Sequence, residues 1–332
     1  MQETNATIVA PRLSVVSAPS VDYLSLGEWS WELDFSRTDW TLLWEPYRWR
    51  WEVNVTPLSQ PALPFYAVLL YLFALVALKS FMANRKAYDL KYVSAFHNLF
   101  LCAWSLVMAL GTIYYAAIRA WSNRETNPWQ LVCETEPNSF QGPIYYFGYL
   151  YYISKYYELL DSVIILLKKK PLIFLHVYHH AGMVVLCRLW MQSGHPIGFW
   201  TVIANSLIHV WMYYFYFLAA LGQNVWWKKY LTIGQMIQFA GLFCVCLLHF
   251  TKSFVQNFAL QPPADNAFFP FAFTYEKGCV GDEFAMFICV FFDASLFLLF
   301  NQFFQRSYTR GTLHRTANTN PSSPTPERKK NR

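Results

Sequence analysis

Charge is what this sequence has least of. Asp, Glu, Lys and Arg together make 14% of its 332 residues, whereas a soluble domain carries about 25%. A surface in water cannot be covered from that supply, which excludes a soluble globular fold. The seven cysteines contain no C-x-x-C pair, which removes the common thiolate metal sites. Residues 1–64 hold no apolar core behind a basic start, so no secretory leader is expected and insertion falls to the first membrane helix. No internal repeat is evident. What the chain has in quantity is apolar side chain, with 55% hydrophobic and 20% aromatic residues. Its formal charge of +6 sits in short connections and the tail, which fits membrane topology and not nucleic acid.

Seven apolar segments lie near 65–83, 95–118, 144–167, 172–192, 198–221, 230–250 and 283–304. Each is long enough to cross a hydrocarbon layer of about 30 Å, which takes about 20 helical residues. The expected fold class is an all-α polytopic membrane protein with seven transmembrane helices over 65–304. An N-terminal arm, 1–64, alternates aromatic and charged residues in "EWSWELDFSRTDWTLLWEPYRWRWEV", which suits a surface or interfacial segment. The tail, 305–332, is rich in Ser, Thr and Pro and is expected to be disordered.

Orientation follows from the basic residues. Lys79, Arg85, Lys86 and Lys91 occupy the first connection, Lys168, Lys169 and Lys170 the third, Lys228 and Lys229 the fifth, and Arg306 and Arg310 the tail. The positive-inside rule puts these in the cytosol and the arm on the lumenal side. Cys133 and Cys279 are the only cysteines in lumenal connections, where a disulfide between them is allowed; two separate thiols are the alternative. Asn5 and Asn54 each begin an Asn-x-Thr sequon on that side. Lys329 and Lys330, in the closing "KKNR", match a dilysine signal for retrieval to the endoplasmic reticulum.

One stretch contradicts its surroundings. "FLHVYHHAGMVV" places His176, His179 and His180 within five residues of an apolar helix. His179 lies about 13 Å in from Lys170, and Asp161 about 10 Å in from Lys168. His209 on the fifth segment, and Gln235 and Gln238 on the sixth, reach overlapping depths. Lys155, Glu158 and Ser162 follow i, i+3, i+7; the three histidines follow i, i+3, i+4; Asn205, His209, Met212 and Tyr213 form a similar stripe. Such spacings share a helix face. Ionisable groups at membrane depth face an interior, either as a network holding helices together or as a site.

Three uses of the imidazoles compete: metal binding, proton transfer and nucleophilic acyl transfer. The chain has eight histidines. His97 heads the second helix, His195 and His249 lie toward the lumen, and His314 is in the tail. Four are left for the layer, which supplies a di-iron centre poorly but leaves a single zinc possible.

The ordered set Lys155-x-x-Glu158-x-x-Asp161, "HVYHH", Asn205-x-x-x-His209-x-x-Met212-Tyr213 and Thr232-x-x-Gln235-x-x-Gln238 resembles the ELO family of fatty-acid elongases. Ser162 stands where that family usually has threonine. The long arm and tail are similar to those of fungal members. The resemblance implies a seven-helix inverted barrel around a lipid tunnel in the endoplasmic reticulum membrane, with the C-terminus cytosolic. It implies condensation of malonyl-CoA with a long-chain acyl-CoA to give 3-ketoacyl-CoA, CoA and CO2, with no metal or other cofactor. It also implies an acyl-enzyme stage on an imidazole.

On that reading His179 is the first choice of nucleophile. His180 and His209 serve as base, acid or orienting groups, and His176 is a further catalytic candidate beside them. His209, Asn205 and Tyr213 stabilise negative oxygen. Lys155, Glu158 and Asp161 order the constellation, and Gln235 and Gln238 hold a carbonyl or the pantetheine arm. Lys168, Lys169, Lys170, Lys228 and Lys229 face the CoA phosphates. The implied partners are the bilayer and separate 3-ketoacyl-CoA reductase, 3-hydroxyacyl-CoA dehydratase and enoyl-CoA reductase enzymes. Homo-oligomerisation stays open. Saturated and monounsaturated chains feeding sphingolipids are the expected substrates. A desaturase or hydroxylase, and a transporter or receptor, are the rival classes.

Overall fold

Apolar runs free of interior proline can satisfy their backbone inside a bilayer only as helices. The structure, a computed structural model, describes residues 31–134, 141–261, 272–275, 279, 281 and 283–309. Its helices are α1 (Leu63–Met82), α2 (Lys91–Ser122), α3 (Pro143–Glu158), α4 (Leu160–Leu167), α5 (Phe174–Ser193), α6 (Ile197–Ala220), α7 (Lys228–Asn257) and α8 (Glu283–Phe304). Pro64 and Pro143 stand in the first turns of α1 and α3, where a missing N–H costs nothing. Helices α3 and α4 form one rod with a bend at Leu159, so the seven expected segments are all helical.

Five of them, α1, α2, α6, α7 and α8, are long and apolar enough to cross a membrane. Helices α3 and α4, 16 and 8 residues long, are each too short by themselves, and α5 falls short because its three histidines and Arg188 lower its hydropathy. The protein is a polytopic, all-α membrane protein. Its polarity is inverted: Leu70, Phe73 and Val76 are 68%, 71% and 71% exposed, whereas Lys155 and Glu158 are each 1% exposed.

Helix α2 packs along α6, α6 on α7, α7 on α8, α8 on α5, α5 on α3, and α3 back on α2. Six rods therefore close a ring, and α1 stands outside it against α4 and α5. Where the sequence reading expects only helices, β1 (Phe258–Gln261) and β2 (Ala272–Tyr275) form a small antiparallel pair between α7 and α8.

From residue 31 onward the arm is ordered, with Trp31, Trp44 and Tyr47 exposed and other residues packed inward. Asp39 caps a 3-10 turn at Trp40–Leu43 by accepting from the Thr41 N–H at 3.0 Å and the Thr41 hydroxyl at 2.6 Å. Those bonds hold its carboxyl below the usual range. Leu42 and Trp49 are buried in a core with Tyr149, Tyr151, Tyr152 and Phe199. Three consecutive carbonyls of the arm accept bonds from the ring: Pro57 from Tyr149 (3.0 Å), Leu58 from Tyr152 (2.9 Å) and Ser59 from Arg188 Nε (2.9 Å). Leu58 adopts a left-handed φ of 62°, a conformation that costs about 1–2 kcal/mol. The arm thus closes one end of the ring.

Cys133 is bonded to Cys279 with a Cα–Cα distance of 4.9 Å, tying the α2–α3 connection to the segment before α8 at that same end. The second sequon is folded in. Thr56 is fully buried, its hydroxyl accepting from the Glu52 N–H and donating to the Arg50 carbonyl, both at 2.8 Å. Asn5, Lys329 and Lys330 lie outside the described residues.

Candidate active site

The bend between α3 and α4 organises the site. There the Leu159 N–H donates to the Tyr156 carbonyl and the Ser162 N–H to the Leu159 carbonyl, each at 3.3 Å. These are i to i+3 bonds, and in such a turn residues three apart eclipse. Glu158 and Asp161 are therefore stacked toward the same interior, each with its own partners.

Glu158 accepts from Lys155 Nζ at 2.8 and 3.1 Å and from the Ser154 hydroxyl at 2.8 Å. Lys155 Nζ also reaches Asn205 Oδ1 at 3.5 Å and lies 4.0 Å from the centre of the Tyr151 ring. Tyr151 donates to that Asn205 oxygen at 2.8 Å. His209 Nδ1 is 4.0 Å from Glu158 Oε1. Asp161 bonds His97 Nε2 at 2.6 Å and accepts from the Tyr213 hydroxyl at 2.9 Å. His180 Nε2 stands 3.9 Å from its second oxygen. Ser162 joins Tyr71 (2.7 Å) to His176 Nε2 (2.9 Å).

The three histidines of α5 meet as their spacing requires. Ring centres of His176 and His180 are 4.2 Å apart, and those of His179 and His180 5.3 Å. Among the described residues, His179 makes no side-chain hydrogen bond, while its neighbours are tied to Ser162 or face Asp161. All three, with His209, Asn205, Tyr213, Gln235 and Gln238, line one cavity of about 510 Å³, inside the ordinary range for small-molecule sites. It occupies the end of the ring opposite the arm. Gln235 donates to the Met212 sulfur at 3.7 Å.

Lys168, Lys170 and Lys228 line the mouth of this cavity. Partial burial and the neighbouring Lys170 hold the Lys168 ammonium below its usual range, with Asp89 opposing; an anion arriving there relieves the crowding. Lys169 and Lys229 stand apart. The first adopts φ 51° and donates to the Ala83 carbonyl at 3.1 Å; the second lies 5.8 Å from the Phe304 ring. Lys155 sits behind Glu158 and does not line the cavity. Among the described residues, no group of three His, Cys, Asp or Glu side chains is arranged to hold a metal.

His97 corrects the sequence reading, which left it outside the layer. It lines the cavity and stacks on Tyr157 at 5.3 Å as well as holding Asp161. A signal was there to find. Ser94, His97, Leu101, Ser105, Met108 and Thr112 are the buried stripe of α2, and their helical spacing puts His97 on its inward face.

Residues 56–316 match the ELO family, described as GNS1/SUR4. The chain belongs to the ELO family. A relative from Dictyostelium discoideum is 41% identical over 289 residues, covering 87% of this chain and 90% of its own. Fatty acid elongase sre1 of the same organism is 44% identical over 191 residues, 57% and 70% of the two chains. Very long chain fatty acid elongase F of Drosophila melanogaster is 26% identical over 272 residues, 78% and 93%. The ELO match contains every residue of the polar layer and the three lysines at its mouth. Most of the arm lies before it.

Proposed function

We propose that this protein is a very-long-chain 3-oxoacyl-CoA synthase, an acyltransferase that condenses malonyl-CoA with a long-chain acyl-CoA. The observation that carries the reading is the His179 ring. It lines the cavity and, among the described residues, makes no side-chain hydrogen bond, beside two more histidines and His209, below a mouth bearing three lysines. A large anionic head group suits that mouth, and its thioester then reaches the histidines. The names borne by the relatives support fatty acid elongation as the process.

In the first step an imidazole nitrogen of His179 attacks the thioester carbonyl. The C–S bond breaks, and CoA leaves as a thiolate that receives the proton shed by the other nitrogen of the acylated ring, leaving a neutral acyl-imidazole. Loss of CO2 from malonyl-CoA then yields an enolate, whose carbon attacks the acyl-imidazole. A C–C bond forms, the C–N bond breaks as the ring takes up a proton from solvent, and neutral His179 returns with the 3-ketoacyl-CoA product. Tyr213, held by Asp161, and the Asn205–His209 pair supply donors to developing oxyanions. The Lys155–Glu158 pair fixes Asn205, and Ser162 fixes His176.

In this proposal all seven rods cross the endoplasmic reticulum membrane, with the lysine mouth and C-terminus in the cytosol. No metal or other cofactor takes part, and three separate enzymes reduce, dehydrate and reduce the product. Purified protein given acyl-CoA alone should release CoA and load one acyl group; malonyl-CoA should then discharge it as 3-ketoacyl-CoA. His179→Ala should fold and not load. Rapid condensation with neither CoA release nor adduct in the absence of malonyl-CoA would refute the covalent stage. Absence of condensation with any acyl chain would refute the synthase itself.

A further inference from the structure

A second cavity, about 380 Å³, lies in the seam between α6 and α7. Its rim is aromatic: Trp211, Trp226 and Tyr230 are 59%, 81% and 63% exposed, beside Lys228 and Lys229. Tryptophan and tyrosine among lysines mark the boundary between hydrocarbon and water. The groove's back wall is Ile208 and Leu231, and both residues also line the cavity that holds the histidines. Two aliphatic side chains are thus shared by the groove and the site. Trp227 joins the two spaces further, packing edge-on against Trp211 in the groove (6.1 Å) and Phe215 of the inner cavity (5.6 Å).

The partition is thin at Gly234. Gly234 lines the groove, and a Cβ added there would come within 3.1 Å of Ile208 Cδ1. The absent carbon is what lets the Ile208 side chain lie against the α7 backbone at the wall. What crosses such a wall must be apolar and narrow, and must belong to a molecule whose other end suits the lysines. A hydrocarbon tail fits on both counts.

We infer that the α6–α7 seam is a lateral portal, and that the outer groove holds the tail of a long-chain acyl thioester passing from the bilayer to the histidines. This rests on the condensation proposed above. A tail dissolved in the bilayer that entered through the lysine mouth would expose every methylene to water on the way, which is unfavourable in proportion to its length. Entry through the seam keeps the tail in apolar surroundings while the anionic head stays at the Lys228 end.

The test uses the full-length protein in lipid nanodiscs, with palmitoyl-CoA and hexanoyl-CoA as alternative partners for malonyl-CoA. Gly234→Leu fills the groove and pins Ile208. It should raise KM for palmitoyl-CoA about tenfold while leaving kcat within about twofold. Hexanoyl-CoA, too short to be held by the bilayer, should keep its native kcat/KM. Equal effects on both chains, or none on either, overturn the portal. A second arm needs no variant. Palmitoyl-CoA bearing a diazirine at the tail tip should label residues 226–234 of the native protein during the first turnovers, and unlabelled palmitoyl-CoA should suppress it. Labelling confined to other segments, or labelling by a diazirine phospholipid that palmitoyl-CoA does not displace, also overturns it. If the native protein condenses neither chain, the synthase reading has failed and not the portal.

Discussion

Lys155 and Glu158 are each 1% exposed and paired at 2.8 Å, so neither charge has water to fall back on. Lys155→Met leaves Glu158 with only the Ser154 hydroxyl as a side-chain donor. Removing one partner of a buried pair costs about 3–5 kcal/mol, while replacing both with neutral groups is often close to neutral. At about 1.4 °C per kcal/mol for a chain of this size, Lys155→Met should lower Tm by about 4–7 °C. Glu158→Gln should be destabilising for the same reason, with the ammonium left facing Asn205 and Tyr151. The double variant should regain most of the loss. Thermal unfolding in nanodiscs, followed by tryptophan fluorescence, reads the stability arm; condensation of acyl-CoA with malonyl-CoA reads the other. The expected outcome is a double variant that is stable and inactive, because Asn205 and His209 lose the groups that place them. A double variant as unstable as Lys155→Met would show that the charges do not neutralise one another. One that keeps native activity would show the pair to be only structural.

Other perturbations probe the remaining parts. His97→Ala removes a charge-assisted bond worth about 1.5–3 kcal/mol and should lower kcat about 10–100-fold with KM unchanged; His97→Gln should restore part of it, and an unaffected kcat would remove His97 from the site. Lys168→Ala, Lys170→Ala and Lys228→Ala should each raise KM for both CoA substrates about two- to fivefold, less at high salt, whereas Lys169→Ala should not; equal effects from all four would show that the mouth is not selective. The Cys133–Cys279 link spans 146 residues, and in the chain-entropy model its loss costs up to about 5 kcal/mol. Cys133→Ser should therefore unfold at lower temperature than the native protein, and equal Tm values with and without reductant would contradict this. Glycosylation, read by gel shift after Asn→Gln changes, should occur at Asn5 in preference to Asn54, whose sequon threonine is buried; a shift lost only in Asn54→Gln would reverse that.

The helices were legible from composition and run length. An apolar segment of about 20 residues in a bilayer has helix as its only way to satisfy its backbone, so the expected 65–83 and 283–304 fall on Leu63–Met82 and Glu283–Phe304. The common face of His176, His179 and His180 was legible for a similar reason: i, i+3, i+4 is local geometry and needs no neighbour. The family was legible because its motifs are short and ordered along successive helices.

What depends on distant parts of the chain was not legible. Lys168, Lys169 and Lys170 look alike in sequence, and a single left-handed residue turns the middle one away from the cavity. His97 looked too near a helix end to matter until α2 was laid against the α3–α4 bend, 64 residues away. The arm's burial was hidden because its tryptophans look alike, Trp49 buried and Trp31 and Trp44 exposed, and because three of its anchors are backbone carbonyls at Pro57, Leu58 and Ser59, which every sequence has. Sequence by itself determined which segments leave water and which imidazoles share a helix face, since hydropathy and helical spacing act within a few turns. Tertiary structure decided that α1 stays outside the ring, that His97 joins Asp161, and that Ile208 and Leu231 border two cavities at once. Each of those is a contact between segments far apart in the chain, made by packing that no local pattern encodes.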